Sequence, residues 1–234
     1  MKISIMQPYI FPYIGYFQLI NYSNKFVFLD DVSYKKKGWI DRNKILLENS
    51  EFYFKIPIKN MSRNKNINIT LIDQEKYSPW CSKFLRTINH CYKNSPYYEN
   101  VFKLLSNILN KKYKYISEIA IESIIVICKY LDIKTDFYIS SNLSFNRNND
   151  AESKLIDICI TLKATSYVNM INGKDLYNYD NFKKNNIELK FLHQKIINYK
   201  QFNSNFIPAL SIIDVIMFNS IDQINKIHLN KYDK

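Results

Sequence analysis

Directly after an apolar run at residues 2 to 6, the chain places two prolines, Pro8 and Pro12, and this pair constrains everything near it. Proline fixes φ and has no amide hydrogen to give, and it pushes the residue before it out of the helical region. The run therefore reads as a buried strand that must end in a bent loop. Beyond Gly15, the residues Tyr16, Leu19 and Ile20 recur at helical spacing, and Phe26 to Leu29 reads as a second buried strand. In open α/β sheets ligands bind outside the carboxyl ends of the strands, where this proline-bound loop would lie. Two carboxylates, Asp30 and Asp31, follow the second strand at the matching end.

Farther on, Ile45 to Leu47 and the alternating run Glu51 to Ile58 flank the turn signal Glu48-Asn49-Ser50, which predicts a hairpin. Asn60 to Asn66 is polar and basic, an exposed or ligand-gated loop, and Ile67, Ile69 and Leu71 alternate as a short strand. Pro79 and Trp80 are read as opening a helix, and spacing places helices at about 79–92, 97–111 and 115–131. Strands are expected at 136–139, 166–170 and 187–192, and a helix carries Leu155, Ile158, Cys159 and Leu162. The last helices are placed near 209–219, with Pro208 at the start and Asp214 bonding a loop, and near 221–229 before a polar tail. The fold class is α/β: a largely parallel, Rossmann-like sheet with a β-hairpin excursion and a helical middle and C-terminal section. No linker or internal repeat divides the chain, so residues 1–234 are read as one domain with a helical subregion at about 79–131.

The formal net charge of +12 points to anionic partners such as nucleotide sugars, nucleic acid or an acidic membrane face. Lys, Asn, Ile and Tyr are abundant and Gly is scarce, as A- and T-rich codons would produce, so the charge has a compositional reading too. The N-terminus lacks the layout of a secretory signal, and the greasy segment 116–131 is interrupted by Glu118, Glu122 and Lys129. A cytoplasmic protein with no transmembrane segment is expected. The four cysteines have no Cys-x-x-Cys spacing and read as buried thiols; the three histidines have no ligand spacing, so no metal site is predicted.

Gln7, with Tyr9, Tyr13 and Tyr16, offers an amide and hydroxylated rings at the first strand's end, suited to a base or sugar or else to packing under a loop. Asp30, Asp31, Trp39, Arg42 and Asn43 form a second group, in which Arg42 has the fork geometry for phosphate and an Asp can act as general base. The bland alternative makes one Asp a turn cap and Arg42 a surface ion pair. Ser140 and Ser141, at a strand end with no histidine nearby, fit a phosphate or sugar contact better than a nucleophile. Lys174, Tyr177 and Tyr199, near the Gly173 turn, are candidates for a far wall.

The order Gln7-Pro8, Phe11-Pro12, Gly15-Tyr16, Asp30-Asp31, Trp39, Arg42-Asn43, continued by Ser140-Ser141, Tyr167 with Gly173, and Phe206 through Asp214, resembles the WbqC-like family. These are bacterial proteins encoded among genes for O-antigen and related surface polysaccharides, and the resemblance covers nearly the whole chain. It implies a transferase of surface-glycan (lipopolysaccharide) biosynthesis that acylates an amino sugar, most naturally a nucleotide-linked one, with glycine or a related acyl group. On that expectation Asp31 or Asp30 is the base, Arg42 with Ser140 and Ser141 holds a pyrophosphate, and the tyrosines stack on the nucleoside. The acyl donor stays open between an adenylate, an acyl thioester and an aminoacyl-tRNA, the last matching the basic charge. Two rivals remain. An ATP-dependent amide ligase would use the strand–loop–helix, although Tyr13-Ile-Gly-Tyr16 stands where nucleotidyl-transferases carry His-x-Gly-His. A nucleic-acid or glycan-assembly binding protein would be marked by aromatics interleaved with lysine.

Overall fold

A computed structural model describes residues 1–60, 62, 64–202 and 205–233. Strand β1 (Lys2–Met6) leads through the proline loop to helix α1 (Ile14–Tyr22) and strand β2 (Lys25–Phe28), as the prolines and spacing predict. A hairpin, β3 (Arg42–Leu47) and β4 (Ser50–Lys55), precedes helices α2 (Gln74–Tyr92), α3 (Tyr98–Leu109) and α4 (Ile116–Tyr130). Then come β5 (Asp136–Ile139), α5 (Ala151–Thr161), β6 (Ser166–Met170), α6 (Tyr179–Lys184), β7 (Glu188–Gln194), α7 (Ile212–Phe218), the single turn α8 (Ile221–Gln223) and β8 (Tyr232–Asp233).

The main sheet has the order β5-β2-β1-β6-β7-β8, parallel except for the β7–β8 edge. Both faces are covered, as a parallel sheet requires. Phe26, Phe28, Val168 and Met170 turn toward α1 to α4 and α7, while Ile3, Ile5, Val27 and Tyr167 turn toward α5 and α6. Two successive elements, β1 and β2, lead the chain toward β5, whereas β6 adds on the other side of β1. The order therefore reverses between β1 and β6.

Several expectations are corrected. Ile67–Ile69 is a 3₁₀ turn whose amides bond to Val32 and Asp30 carbonyls instead of a strand partner. Pro79 does not open α2; it lies inside the helix, which starts at Gln74 with Asp73 accepting from the Lys76 amide. Pro208 does not start α7 either, because Ala209 takes a φ of 54° and Ser211 provides the cap. The helix expected at 221–229 is one α turn followed by a π turn at Ile224–His228, and the tail contains β8. The hairpin strands are shifted from the expected limits, with Glu48 in the left-handed region at the turn. The loop expected at Asn60–Asn66 lies partly outside the described residues; its end is pinned where the Lys65 carbonyl accepts from Tyr34.

Cys81, Cys128 and Cys159 are buried and Cys91 is half-buried, and burial pushes the Cys159 thiol up to about 12. No helix among the described residues is long and apolar enough to cross a membrane.

Candidate functional site

The loop between β1 and α1 is tied down at its centre, residues 10 and 11. The Ile10 amide donates to the Ile40 carbonyl, and the Phe11 amide to Ser123 Oγ at 3.2 Å. Asn43 Nδ2 donates to the carbonyls of Ile10 (3.1 Å) and Phe11 (2.6 Å), and Ser211 Oγ also reaches the Phe11 carbonyl at 2.8 Å. These bonds hold Phe11 at a φ of 43°, an uncommon conformation for a bulky side chain. Local strain of this kind persists only where the surroundings over-determine it, and it concentrates at functional sites. Gly15 belongs to the same construction: a Cβ there would lie 2.0 Å from Gln194 Oε1 and 2.5 Å from the Tyr13 ring. Those two side chains are hydrogen-bonded to each other across it.

The rigid loop forms one wall of a cleft of about 530 Å³ at the carboxyl ends of β1 and β6, where the strand order reverses. Topology makes such a crevice the expected ligand site of an open α/β sheet. Met6 and Gln7 come from the end of β1, and Asn169 and Met170 from the end of β6. Tyr9 and Tyr13 come from the proline loop, Gly173 and Tyr177 from the turn after β6, and Lys35 and Trp39 from the segment before the hairpin. The Gln7 carbonyl accepts from Tyr16 at 3.0 Å, but its carboxamide has no hydrogen-bond partner among the described residues. Asn169 is fully engaged: its Nδ2 donates to the hydroxyls of Tyr177 (2.6 Å) and Tyr167 (3.1 Å), and its Oδ1 accepts from the Met170 amide. Burial raises the pKa of Tyr9 and Tyr13 above the usual phenol value, so both rings are neutral hydroxyl-bearing walls.

Asp30 and Asp31 sit beside the cleft without lining it. Asp30 is buried and accepts from the Ser141 amide (3.0 Å), Ser141 Oγ (2.9 Å) and Ser140 Oγ (3.1 Å). Asp31 accepts from Ser140 Oγ and from Arg147 Nε at 2.9 Å, while Arg147 also donates to the carbonyls of Ser140, Ser141 and Leu143. The two carboxylates and two serines therefore form a latch that joins β2 to β5. The expected pairing of Ser140 and Ser141 with a phosphate is replaced by pairing with Asp30 and Asp31.

Of the residues singled out by sequence, Gln7, Tyr9, Tyr13, Trp39 and Gly173 line one cleft, and Tyr177 joins them. Tyr16 supports that wall from behind, its ring 5.1 Å from that of Tyr9. Asn43 is buried and anchors the proline loop rather than reading a sugar hydroxyl. Arg42 donates through Nη2 to the Lys37 carbonyl and lies 5.2 Å from the Trp39 ring, while its buried Nε has no hydrogen-bond partner among the described residues. Tyr167 is wholly buried against Phe182 and meets the cleft through Asn169 and Tyr177, both bonded to its hydroxyl. Lys174 faces a neighbouring hollow of about 380 Å³, and Tyr199 is half-buried beside Asp214, away from the cleft. Asp214 does bond a loop, accepting from Tyr92, Tyr199 and Gln201.

Sequence reasoning missed Asn169, Gln194 and Arg147, and it did not single out Lys35 from its lysine run. Asn169 was findable, since a polar residue inside a fully buried strand at the strand's carboxyl end is unusual; Gln194 and Arg147 carry no local signal. A further hollow of about 530 Å³, lined by Thr165, Lys183 and Glu188, opens at the amino ends of β6 and β7 and holds none of the predicted residues. No group of three or more His, Cys, Asp or Glu side chains among the described residues is arranged to hold a metal.

A family model described as "WbqC-like protein family" matches residues 7–226. The chain is 26% identical over 221 residues to "Uncharacterized protein Rv1507c" of Mycobacterium tuberculosis (strain ATCC 25618 / H37Rv), with 93% of each chain covered. No solved structure matches the chain.

Proposed function

The chain belongs to the WbqC-like protein family, and from that premise we propose that it is a transferase of surface-glycan biosynthesis that acylates a nucleotide-linked amino sugar with glycine or a related acyl group. The observation that carries this reading is the free Gln7 carboxamide in a cleft walled by tyrosines at the sheet's switch point. Such a crevice suits a ring with several hydroxyls: the aromatic faces take its C–H edges, and the amide and phenols take its polar groups.

In the reaction the sugar nitrogen attacks the acyl carbonyl, forming the C–N bond. The C–O or C–S bond to the donor's leaving group then breaks, and the proton lost from nitrogen passes to that leaving group or to water. No carboxylate is among the residues that line the cleft, so Asp30 and Asp31 are not proposed as bases. The acceleration comes from holding amine and activated carbonyl together, with Gln7 Nε2 donating to the oxygen on which charge develops.

Mass spectrometry of amino-sugar nucleotides incubated with the protein, glycine and each donor system tests the proposal. A sugar gaining the mass of one acyl group is expected, and Gln7→Ala should slow turnover about 10²–10³-fold, the usual cost of one lost oxyanion donor. If no sugar gains mass and the protein instead binds RNA with strong salt dependence, the binding-protein reading replaces this one.

A further inference from the structure

We propose that the outer rim of the cleft is a separate subsite that takes the phosphorylated adenosine of the acyl donor. The inference rests on the transferase reading above. The hairpin register pairs Arg42 with Lys55 and Lys44 with Tyr53, so these four side chains share its outer face. Trp39 lies over that face, with its ring 5.2 Å from the Arg42 guanidinium and stacked on Tyr53 at 6.3 Å and 23°. The two rings are 43% and 53% exposed, and Trp39 also lines the cleft. An exposed aromatic pair continuous with a polar cleft is the usual stacking platform for a nucleobase.

The platform is set before any ligand arrives. Arg42 donates to the Lys37 carbonyl as well as touching Trp39, which fixes the segment from 37 to 39 over the hairpin. Preset rings lose little freedom on binding. Cations adjoin the platform in the chain. Lys35 lines the cleft beside Trp39, and Lys36 and Lys37 are exposed next to it. None of these three forms a salt bridge among the described residues, whereas the nearby carboxylates Glu51 and Asp41 are matched with Lys44 and Lys55. Uncompensated charge beside a stacking platform fits a phosphate next to a base. The acyl arm of a ligand so seated would run past Lys35 toward Gln7.

Chemistry identifies the base. An acyl adenylate, a coenzyme A thioester and the 3′ end of an aminoacyl-tRNA share one feature, an adenosine carrying phosphate, which adjoins the activated carbonyl in the adenylate and the tRNA ester and lies at the other end of the pantetheine arm in the thioester. A rim that reads that shared part would serve whichever donor is used.

Only two tryptophans are present, and Trp80 is stacked on Phe84 at 5.2 Å within α2, so the quench lost in Trp39→Phe is that of Trp39. Adenosine 3′,5′-bisphosphate, AMP, coenzyme A and a short RNA ending in adenosine are titrated, with UDP as a comparison. Adenosine phosphates should quench Trp39, and the tightest of the four ligands reports the donor class. Calorimetry on Trp39→Ala and Tyr53→Ala should show affinity weakened about tenfold or more, the worth of one stacked base, with Trp39→Phe retaining most of it. Thermal melts and Trp80 emission report whether each variant folds. The subsite is overturned if no adenosine phosphate binds, if UDP quenches as strongly and competes, or if folded Trp39→Ala acylates sugar with an unchanged donor requirement. Adenosine binding without any sugar gaining mass would keep the subsite and remove the acceptor reading instead.

Discussion

Asp30 accepts three hydrogen bonds from two serines on the neighbouring strand's end, and it is 3% exposed. Removing a buried acceptor strands its donors, so Asp30→Ala should cost about 3 kcal/mol by chemical denaturation while nucleotide binding in the cleft survives. Unchanged stability with abolished turnover would restore the catalytic role that sequence suggested. Asn43→Ala should cost about 2 kcal/mol, because it takes the side-chain donor from the Ile10 carbonyl and leaves the Phe11 carbonyl, held at positive φ, with Ser211 Oγ. That variant should also weaken ligand binding, since Tyr9 and Tyr13 ride on the same loop. At this scale the sequence was only half legible. An amide, a carboxylate and a serine at strand ends advertise polarity, but not whether their partner is a ligand or each other. Gln7 and Asp30 look alike in sequence and differ because β5 brings Ser140 and Ser141 to one of them.

Elements were legible where periodicity was long. α2 and α4 show their apolar stripes plainly, and the proline pair marked the end of β1. Short runs misled, because Ile67 and Ile69 alternate like a strand but find no strand beside them, only the carbonyls of residues 30 and 32. Pro79 misled in another way: it resembles a helix start, yet Asp73 caps the helix earlier and leaves the proline in the interior. A proline there removes one backbone bond and crowds the preceding turn. Pro79→Ala should therefore stabilise the protein by about 1–2 kcal/mol, raising the melting temperature by roughly 2–8 °C in a chain of this size. A lower melting temperature would mean that α2 is bent to fit its neighbours and needs the proline.

For the whole molecule, the parallel sheet and its hairpin excursion followed from the strand–helix alternation, whereas the strand order did not, because which side of β1 receives β6 is a long-range choice. The C-terminal region closes the structure in a way that local pattern hides. Gln18 Nε2 donates to the carbonyls of Lys195, His228 and Lys231, and the buried His228 ring packs edge-on to Tyr199 at 5.5 Å. Burial lowers the His228 pKa below 6.5. The stability from its neutral form is thus complete above 6.5 and is lost as pH falls through the lowered folded value. Burial raises Asp214 above 3.8, which has the opposite sign: stability falls as pH climbs from 3.8 toward the raised value. Melting temperatures between pH 8 and pH 5.5 should drop toward acid in the native protein and drop less in His228→Gln. The central claim, that ligands enter between β1 and β6, is tested most directly by ¹⁵N NMR during titration with an amino-sugar nucleotide. The side-chain amide signals of Gln7 and the backbone amides of Asn172 and Gly173 should shift together, while the amides of Ser140 and Ser141 stay still. Shifts at Ser140 and Ser141 with Gln7 unmoved would contradict the account and return the site to the carboxylate latch.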